Sequence, residues 1–263
     1  MKTEKLSMHH NIEILTKATE LLGDLTEEMV FLGGCVVGLM ITDSAAPEIR
    51  ATVDVDAIIQ VASRSDYYQL SERLYARGFH APTEENPPIC RFQCEEIILD
   101  VMPTQESILG FSNSWYEPAI LHSQRVTLPN GREINQISPA YFLATKLAAF
   151  YGRGNNDFLM SHDIEDIVAV LDGRPEIVKD VNSSDEKVRK YLVEEFSSLL
   201  ETEAFFLAIE GHLASDESVS KRRQLVVDRI LSFIDFYMGQ VEGEKPSEEL
   251  IEAARITDEL GIR

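Results

Sequence analysis

Asp54-Val55-Asp56 interrupts an otherwise apolar, β-branched stretch at residues 53–62, VDVDAIIQVA. Side chains alternate faces along a strand, so two aspartates spaced this way point in the same direction. Two carboxylates on one sheet face repel each other, and a fold tolerates them chiefly when cations sit between them. The plainer reading is a strand that begins late, with both aspartates on a solvated edge. Asp100 closes a second apolar segment, Ile97-Ile98-Leu99-Asp100. On its own it reads as a strand-end residue before Pro103. If its strand lies beside the first, three carboxylates converge, enough to hold two metal ions about 3.5–4 Å apart for in-line phosphoryl or nucleotidyl transfer. Mg2+, or Mn2+ in its place, suits hard oxygen ligands and keeps open positions for phosphates.

Two further groups bear on that chemistry. Gly33-Gly34 lies between the apolar run Met29–Leu32 and a second one, CVVGLMI. Glycines there either make a tight turn or let backbone N–H groups approach phosphate oxygens at a helix start. Lys146 and Arg153 are seven residues apart, so a continuous helix places them on one face, together with Phe142 and Ala149. Such a face can cover a nucleotide and grip its triphosphate; it can also be an ordinary solvated stripe, with Arg153 suited to a helix end. Ser161 has the character of a helix cap, with Asp163 and Glu165 in the first turn and Asp166 one turn on. Nothing reads as a covalent nucleophile: Cys35 has no neighbouring base in the sequence.

The elements that must position these residues follow from periodicity and breakers. Residues 11–22 place Ile12, Leu15, Ala18 and Leu22 on one helical face, ended by Gly23. Residues 29–32 and 53–62 read as strands, 65–77 as a helix stopped by Gly78, and 89–102 as one or two strands. A Pro-Asn-Gly turn inside 124–137 marks a hairpin. From Ser138-Pro139 onward the pattern is helical, over 139–151, 161–172, 185–210, 216–240 and 246–260. The expectation is an α+β chain: a mixed sheet with flanking helices over 1–137, then a helical domain over 138–263.

Composition narrows the partners. The 263 residues carry 24 basic and 45 acidic side chains, a net charge of −21, with the excess on both sides of residue 180. Bulk electrostatics therefore oppose a large nucleic-acid surface, though not a local basic groove. Cys35, Cys90 and Cys94 are too few and too oddly numbered for a secreted disulfide framework, and Cys90 and Cys94 lack the partners of a zinc site. No run of apolar residues reaches membrane-spanning length and the first residues lack a signal core, so a cytoplasmic chain with no membrane contact is expected.

The run FLGGCVVGLMI followed by EIRATVDVDAII resembles the opening of the nucleotidyltransferase fold: a glycine pair, a helix, a loop, then an Asp-x-Asp strand. Within that superfamily, Arg50-x-Thr52-x-Asp54-x-Asp56 is similar to the AbiEii/AbiGii toxins of type IV toxin–antitoxin systems. KLAAFYGRGNNDFLMSHDIEDIVAVL resembles that family's lysine helix and following aspartate motif. The resemblance covers roughly residues 28–172. It implies a nucleotidyltransferase-like fold that passes a nucleoside monophosphate from a nucleoside triphosphate to an acceptor. Asp54, Asp56 and Asp100 would bind Mg2+ or Mn2+, with Asp100 also helping to activate the acceptor hydroxyl. Gly33, Gly34, Arg50, Thr52, Lys146, Arg153 and Asp163 would face the nucleotide, Lys146 also acting catalytically. The implied acceptor is RNA, such as a tRNA 3′ end, or a protein, and the implied partner is an antitoxin protein. Cys35 departs from the serine or threonine usual after the glycine pair; a thiol is a poor donor to phosphate.

Two other readings accompany this one. Acidity suits a small-molecule transferase of the aminoglycoside type, whose substrates are cationic. The Cys35 departure suits a fold member that binds a nucleotide or a partner without turnover. A haloacid-dehalogenase phosphatase fits less well, because Ile58 stands where that family has Thr or Val.

Overall fold

The structure, a computed structural model, describes residues 6–83, 85–153, 156–213 and 219–241. By its packing the chain divides into two compact units. One comprises residues up to Met40 together with Glu48–Ala149; the other comprises Ile41–Pro47 and the residues from Phe150 onward. The division thus falls at Ala149, about one helix beyond the boundary expected at 137: most of the helix that follows Ser138 groups with the sheet.

The first unit begins with helix α1 (Leu6–Leu22), a 3-10 segment (Gly23–Glu28) and strand β1 (Met29–Leu32). A 3-10 turn (Gly34–Val36) and a single turn of helix, α2 (Val37–Met40), follow where a short helix was expected. Then come β2 (Asp54–Ile59), α3 (Arg64–Tyr75), β3 (Arg91–Cys94) and β4 (Ile97–Pro103). Two short helices, α4 (Glu106–Leu109) and α5 (Tyr116–Leu121), occupy a stretch with no readable period. The expected hairpin is β5 (Gln124–Thr127) and β6 (Glu133–Gln136), and α6 (Pro139–Gly152) starts at the Ser138-Pro139 signal.

The six strands form one mixed sheet in the order β3-β4-β2-β1-β6-β5. β2 runs antiparallel to β1 and parallel to β4, while β3 returns antiparallel on the outer side of β4. β2 is therefore interior. Its second half, Ala57-Ile58-Ile59, is buried throughout, whereas its first half alternates: Val55 is buried, and Asp54 and Asp56 are half-exposed. Fully burying side chains such as Phe31, Val55, Ile58 and Leu99 contributes about 1.5–3 kcal/mol each. That apolar sheet interior is the rigid base on which the polar start of β2 stands.

The second unit contains α7 (His162–Gly173), α8 (Ile177–Asn182), α9 (Glu186–Leu200), α10 (Glu203–His212) and α11 (Val219–Val241). Ser161 caps α7 by accepting from Ile164 N at 3.3 Å, and Asp185 caps α9 by accepting from Lys187 and Val188. The helix expected over 185–210 is two: extended backbone at Thr202 separates α9 from α10. The helix expected at 246–260 lies outside the described residues. Among the described residues no helix is long and apolar enough to cross a membrane.

Candidate functional site

The parallel register of β2 and β4 pairs Asp56 with Asp100 and Asp54 with Ile98. Paired residues on neighbouring strands share a face, so Asp54, Asp56 and Asp100 all point to one side of the sheet. The antiparallel register of β3 and β4 then sets Arg91 beside Asp100. Arg91 grips that carboxylate with two bonds, Nε to Oδ1 at 2.8 Å and Nη2 to Oδ2 at 2.7 Å. The same Nη2 lies 3.6 Å from Asp54 Oδ2. One guanidinium thus stands between two of the three carboxylates, and its bonds to Asp100 make Arg91 hold its proton more tightly than usual.

Gly33 forms the other wall. Its φ of 73° and ψ of −165° belong to a region that only glycine occupies readily. A Cβ there would lie 1.9 Å from Asp56 Oδ2. The glycine backbone and the Asp56 carboxylate are in direct contact, and no other residue fits.

Two polar residues fix the approach. Thr52, buried, donates its hydroxyl to Asp54 Oδ1 at 2.6 Å. Asn11, fully buried on α1, accepts from Thr52 N at 2.9 Å through Oδ1 and donates through Nδ2 to the Arg50 carbonyl at 3.0 Å and the Gly34 carbonyl at 3.4 Å. One amide therefore ties the glycine turn to the segment that enters β2. Thr52, expected to face the nucleotide, acts here on Asp54.

Cys35 is fully buried and donates Sγ–H to the Leu32 carbonyl at 3.1 Å. Burial pushes its thiol well up; Asp56 and Asp54 add to that, and the Lys146 charge opposes it. Cys35 thus lies in the field of both the carboxylates and Lys146. Lys146 is half-buried on α6, with Nζ 5.8 Å from the centre of the buried Phe142 ring. The side chain after the glycine pair serves the core, so the departure from serine or threonine falls on a group turned to a main-chain carbonyl.

Arg153 and Asp163 belong to the second unit. α6 ends at Gly152, so Arg153 follows the helix instead of continuing the Lys146 stripe. Its Nη1 lies 2.8 Å from Oδ2 of Asp163, an exposed arginine holding a buried carboxylate.

The donor set has the chemistry of a cation site: hard carboxylate oxygens on one face, partly desolvated, with a positive group already between two of them. It is not closed as a metal centre. Among the described residues no group of three or more histidine, cysteine or carboxylate side chains is arranged to hold an ion. Arg91 takes both oxygens of Asp100. The Asp54 and Asp56 carboxylates are half-exposed, and neither is gripped by Arg91 as Asp100 is.

Arg91 and Asn11 were not found from the sequence. Arg91 could have been reached by pairing residues 89–94 with 97–102 as a hairpin. Asn11 carried no signal, since an asparagine in a helix usually faces water.

No known protein-family model matches the chain, and no curated protein does. Among solved structures it is similar to an antigenic nucleotidyltransferase-like protein from Paracoccidioides brasiliensis, with 21% sequence identity, a TM-score of 0.43, and coverage of 78% of this chain and 94% of that one.

Proposed function

We propose that the chain is a nucleotidyltransferase, which passes a nucleoside monophosphate from a nucleoside triphosphate to an acceptor hydroxyl. The observation that carries this reading is the register that puts Asp54, Asp56 and Asp100 on one face, against the Gly33 backbone. The bond formed is from acceptor oxygen to the α-phosphorus; the bond broken releases pyrophosphate, and the hydroxyl proton goes to a base or water. Asp54 and Asp56 would hold Mg2+ or Mn2+, which supplies neutralisation of phosphate charge when bound. Thr52 keeps Asp54 in place by its short hydrogen bond, and Asn11 keeps the glycine turn aligned with β2. Gly33 and Gly34 offer backbone, without side chains, where phosphate oxygens must come close. Lys146 supplies a point charge to the triphosphate.

The resemblance to the AbiEii/AbiGii toxins makes RNA, or a protein hydroxyl, the acceptor to test first, with growth arrest and an antitoxin partner as the cellular setting. The test is incorporation of each labelled nucleoside triphosphate into total RNA and into the protein itself, with Mg2+ or Mn2+ and with EDTA. The wild type should label one of them only with metal, and Asp56→Asn should lose about 100-fold or more, as expected for a group that stabilises transferring charge. Labelling that survives Asp56→Asn would sink the reading.

A second reading, nucleotide or partner binding without turnover, is favoured by the Arg91–Asp100 pair, which occupies the third carboxylate. Nucleotide binding without pyrophosphate release, unchanged by Asp54→Ala, would favour it.

A further inference from the structure

A cavity of about 500 Å³ opens in the first unit, with Arg91 in its wall. Its walls are aromatic: Tyr67, Tyr68 and Tyr75 come from α3, and Phe92 from β3. Tyr67 is buried and fixed, donating its hydroxyl to the Val101 carbonyl at 2.8 Å. Tyr68 and Tyr75 lie two helical turns apart on one face and are 62% and 45% exposed. The Tyr75 ring sits against Phe92, centroids 6.1 Å apart and planes tilted by 58°. Uncovered aromatic rings lining one cavity are surface that a fold has no internal reason to leave open.

The charged side chains that line the cavity are basic, against the balance of the chain. Where acidic residues outnumber basic ones by 45 to 24, Arg64 and Arg91 both line it. Arg64 donates Nε to the Ile108 carbonyl at 2.9 Å, which orients its guanidinium plane. Arg91 is a wall common to the cavity and the carboxylate site. Its pair with Asp100 uses Nε and Nη2, and Nη1 takes no part in it.

Planar aromatic faces with two guanidinium groups at their margin match one ligand chemistry: a flat π-system joined to a phosphate. Tyrosine stacks bases of any identity, and arginine takes phosphate oxygens by its fork. We infer that this cavity binds a single nucleotide unit, its base on Tyr68 and Tyr75 and its phosphate toward Arg64 and Arg91. Its volume suits one base and sugar, not an extended strand, which agrees with the acidity of the rest of the surface. Two sources carry that chemistry, the nucleoside triphosphate donor and the terminal nucleotide of an acceptor strand. Assigning the cavity to the acceptor rests on the transferase reading above; the binding itself does not.

The experiment is equilibrium binding to the full chain in EDTA, using AMP, adenosine and a fluorescein-labelled tri-adenylate. AMP and the trinucleotide should bind in the absence of metal, and adenosine more weakly. Tyr68→Ala with Tyr75→Ala should weaken binding about tenfold or more, the loss expected for one stacked base. Both side chains are exposed, and an unchanged thermal midpoint checks that the variant is folded. Arg64→Gln should weaken AMP but not adenosine, and should flatten the salt dependence. Displacement of the trinucleotide by ATP with Mg2+ assigns the cavity to the donor; simultaneous binding assigns it to the acceptor. Absence of AMP and trinucleotide binding, or binding indifferent to both tyrosines, overturns the inference, and it does so even if metal-dependent transfer is observed.

Discussion

Gly33 and Asp56 approach so closely that a Cβ on the glycine would fall 1.9 Å from Asp56 Oδ2. Gly33→Ala therefore adds a steric clash to a strained backbone, and should cost about 2–5 kcal/mol of stability. Gly131→Ala is the control. That glycine also has positive φ, 83°, but nothing lies within 4 Å of the added carbon. It should cost only about 1–2 kcal/mol, the strain term alone. Urea unfolding of both variants separates the two effects. Equal losses would mean that the carboxylate moves aside freely.

Arg91→Ala leaves Asp100 largely buried without its guanidinium. Because Arg91 is itself a quarter exposed, the cost should sit near the low end for a broken buried pair, about 1–3 kcal/mol. If Asp54 and Asp56 hold Mg2+ as proposed, the variant should gain more thermal stability from added Mg2+ than the wild type does, since Asp100 would then be released to join them. Unfolding midpoints with and without Mg2+ test this. The same shift in both proteins would show that Arg91 and the cation do not compete.

What was legible in the sequence was local. The common face of Asp54 and Asp56 follows from strand alternation alone, and the start of α6 from Ser138-Pro139. The Asp56–Asp100 neighbourhood depended on a parallel pairing between distant segments, which the apolar pattern permits but does not specify. Arg91 entered through a hairpin whose turn, Glu95-Glu96, has no glycine or asparagine to announce it; Glu95 takes φ 53° without one. Asn11 bonds to Thr52 across 41 residues, a relation that no window of sequence contains. The break between α9 and α10 has neither glycine nor proline, and Arg153 fell outside the Lys146 stripe because α6 stops at Gly152.

Alkaline pH should loosen the first unit through its thiols. Burial, and then the Asp100 charge, push the Cys90 thiol from 9.0 up to about 12, and Cys94 moves the same way. A thiol raised in the fold is protonated there while the unfolded thiol ionises. Its contribution is fully present below pH about 9 and is lost as pH rises toward 12. For Cys90 the loss by pH 10 should be about 1 kcal/mol. Urea unfolding at pH 8 and pH 10 should show a smaller pH difference for Cys90→Ala than for the wild type. An identical difference would place the alkaline sensitivity elsewhere.

In the second unit, Arg222 holds Asp172 at the end of α7, with Nε 2.8 Å and Nη2 2.7 Å from Oδ2, while Nη2 also lies 3.4 Å from Asp43. Asp172 is buried, and its Oδ1 has no hydrogen-bond partner among the described residues. Arg229 donates Nη1 to the carbonyls of Leu171 and Asp172, both at 2.6 Å, so it holds the helix end and not the carboxylate. Burial raises the Asp172 carboxyl and the Arg222 bond opposes that rise. Arg222→Ala removes the opposing group and should cost about 3–4 kcal/mol at pH 8. The sign of its pH dependence follows: a carboxyl raised further in the fold favours the native state when protonated, and the benefit is lost as pH rises through its folded value. The deficit of the variant should therefore shrink between pH 8 and pH 5, and Arg222→Leu with Asp172→Leu should recover most of it. A deficit independent of pH, and not recovered by the double variant, would mean that Arg222 contributes packing and its bond to the Ala45 carbonyl, not charge.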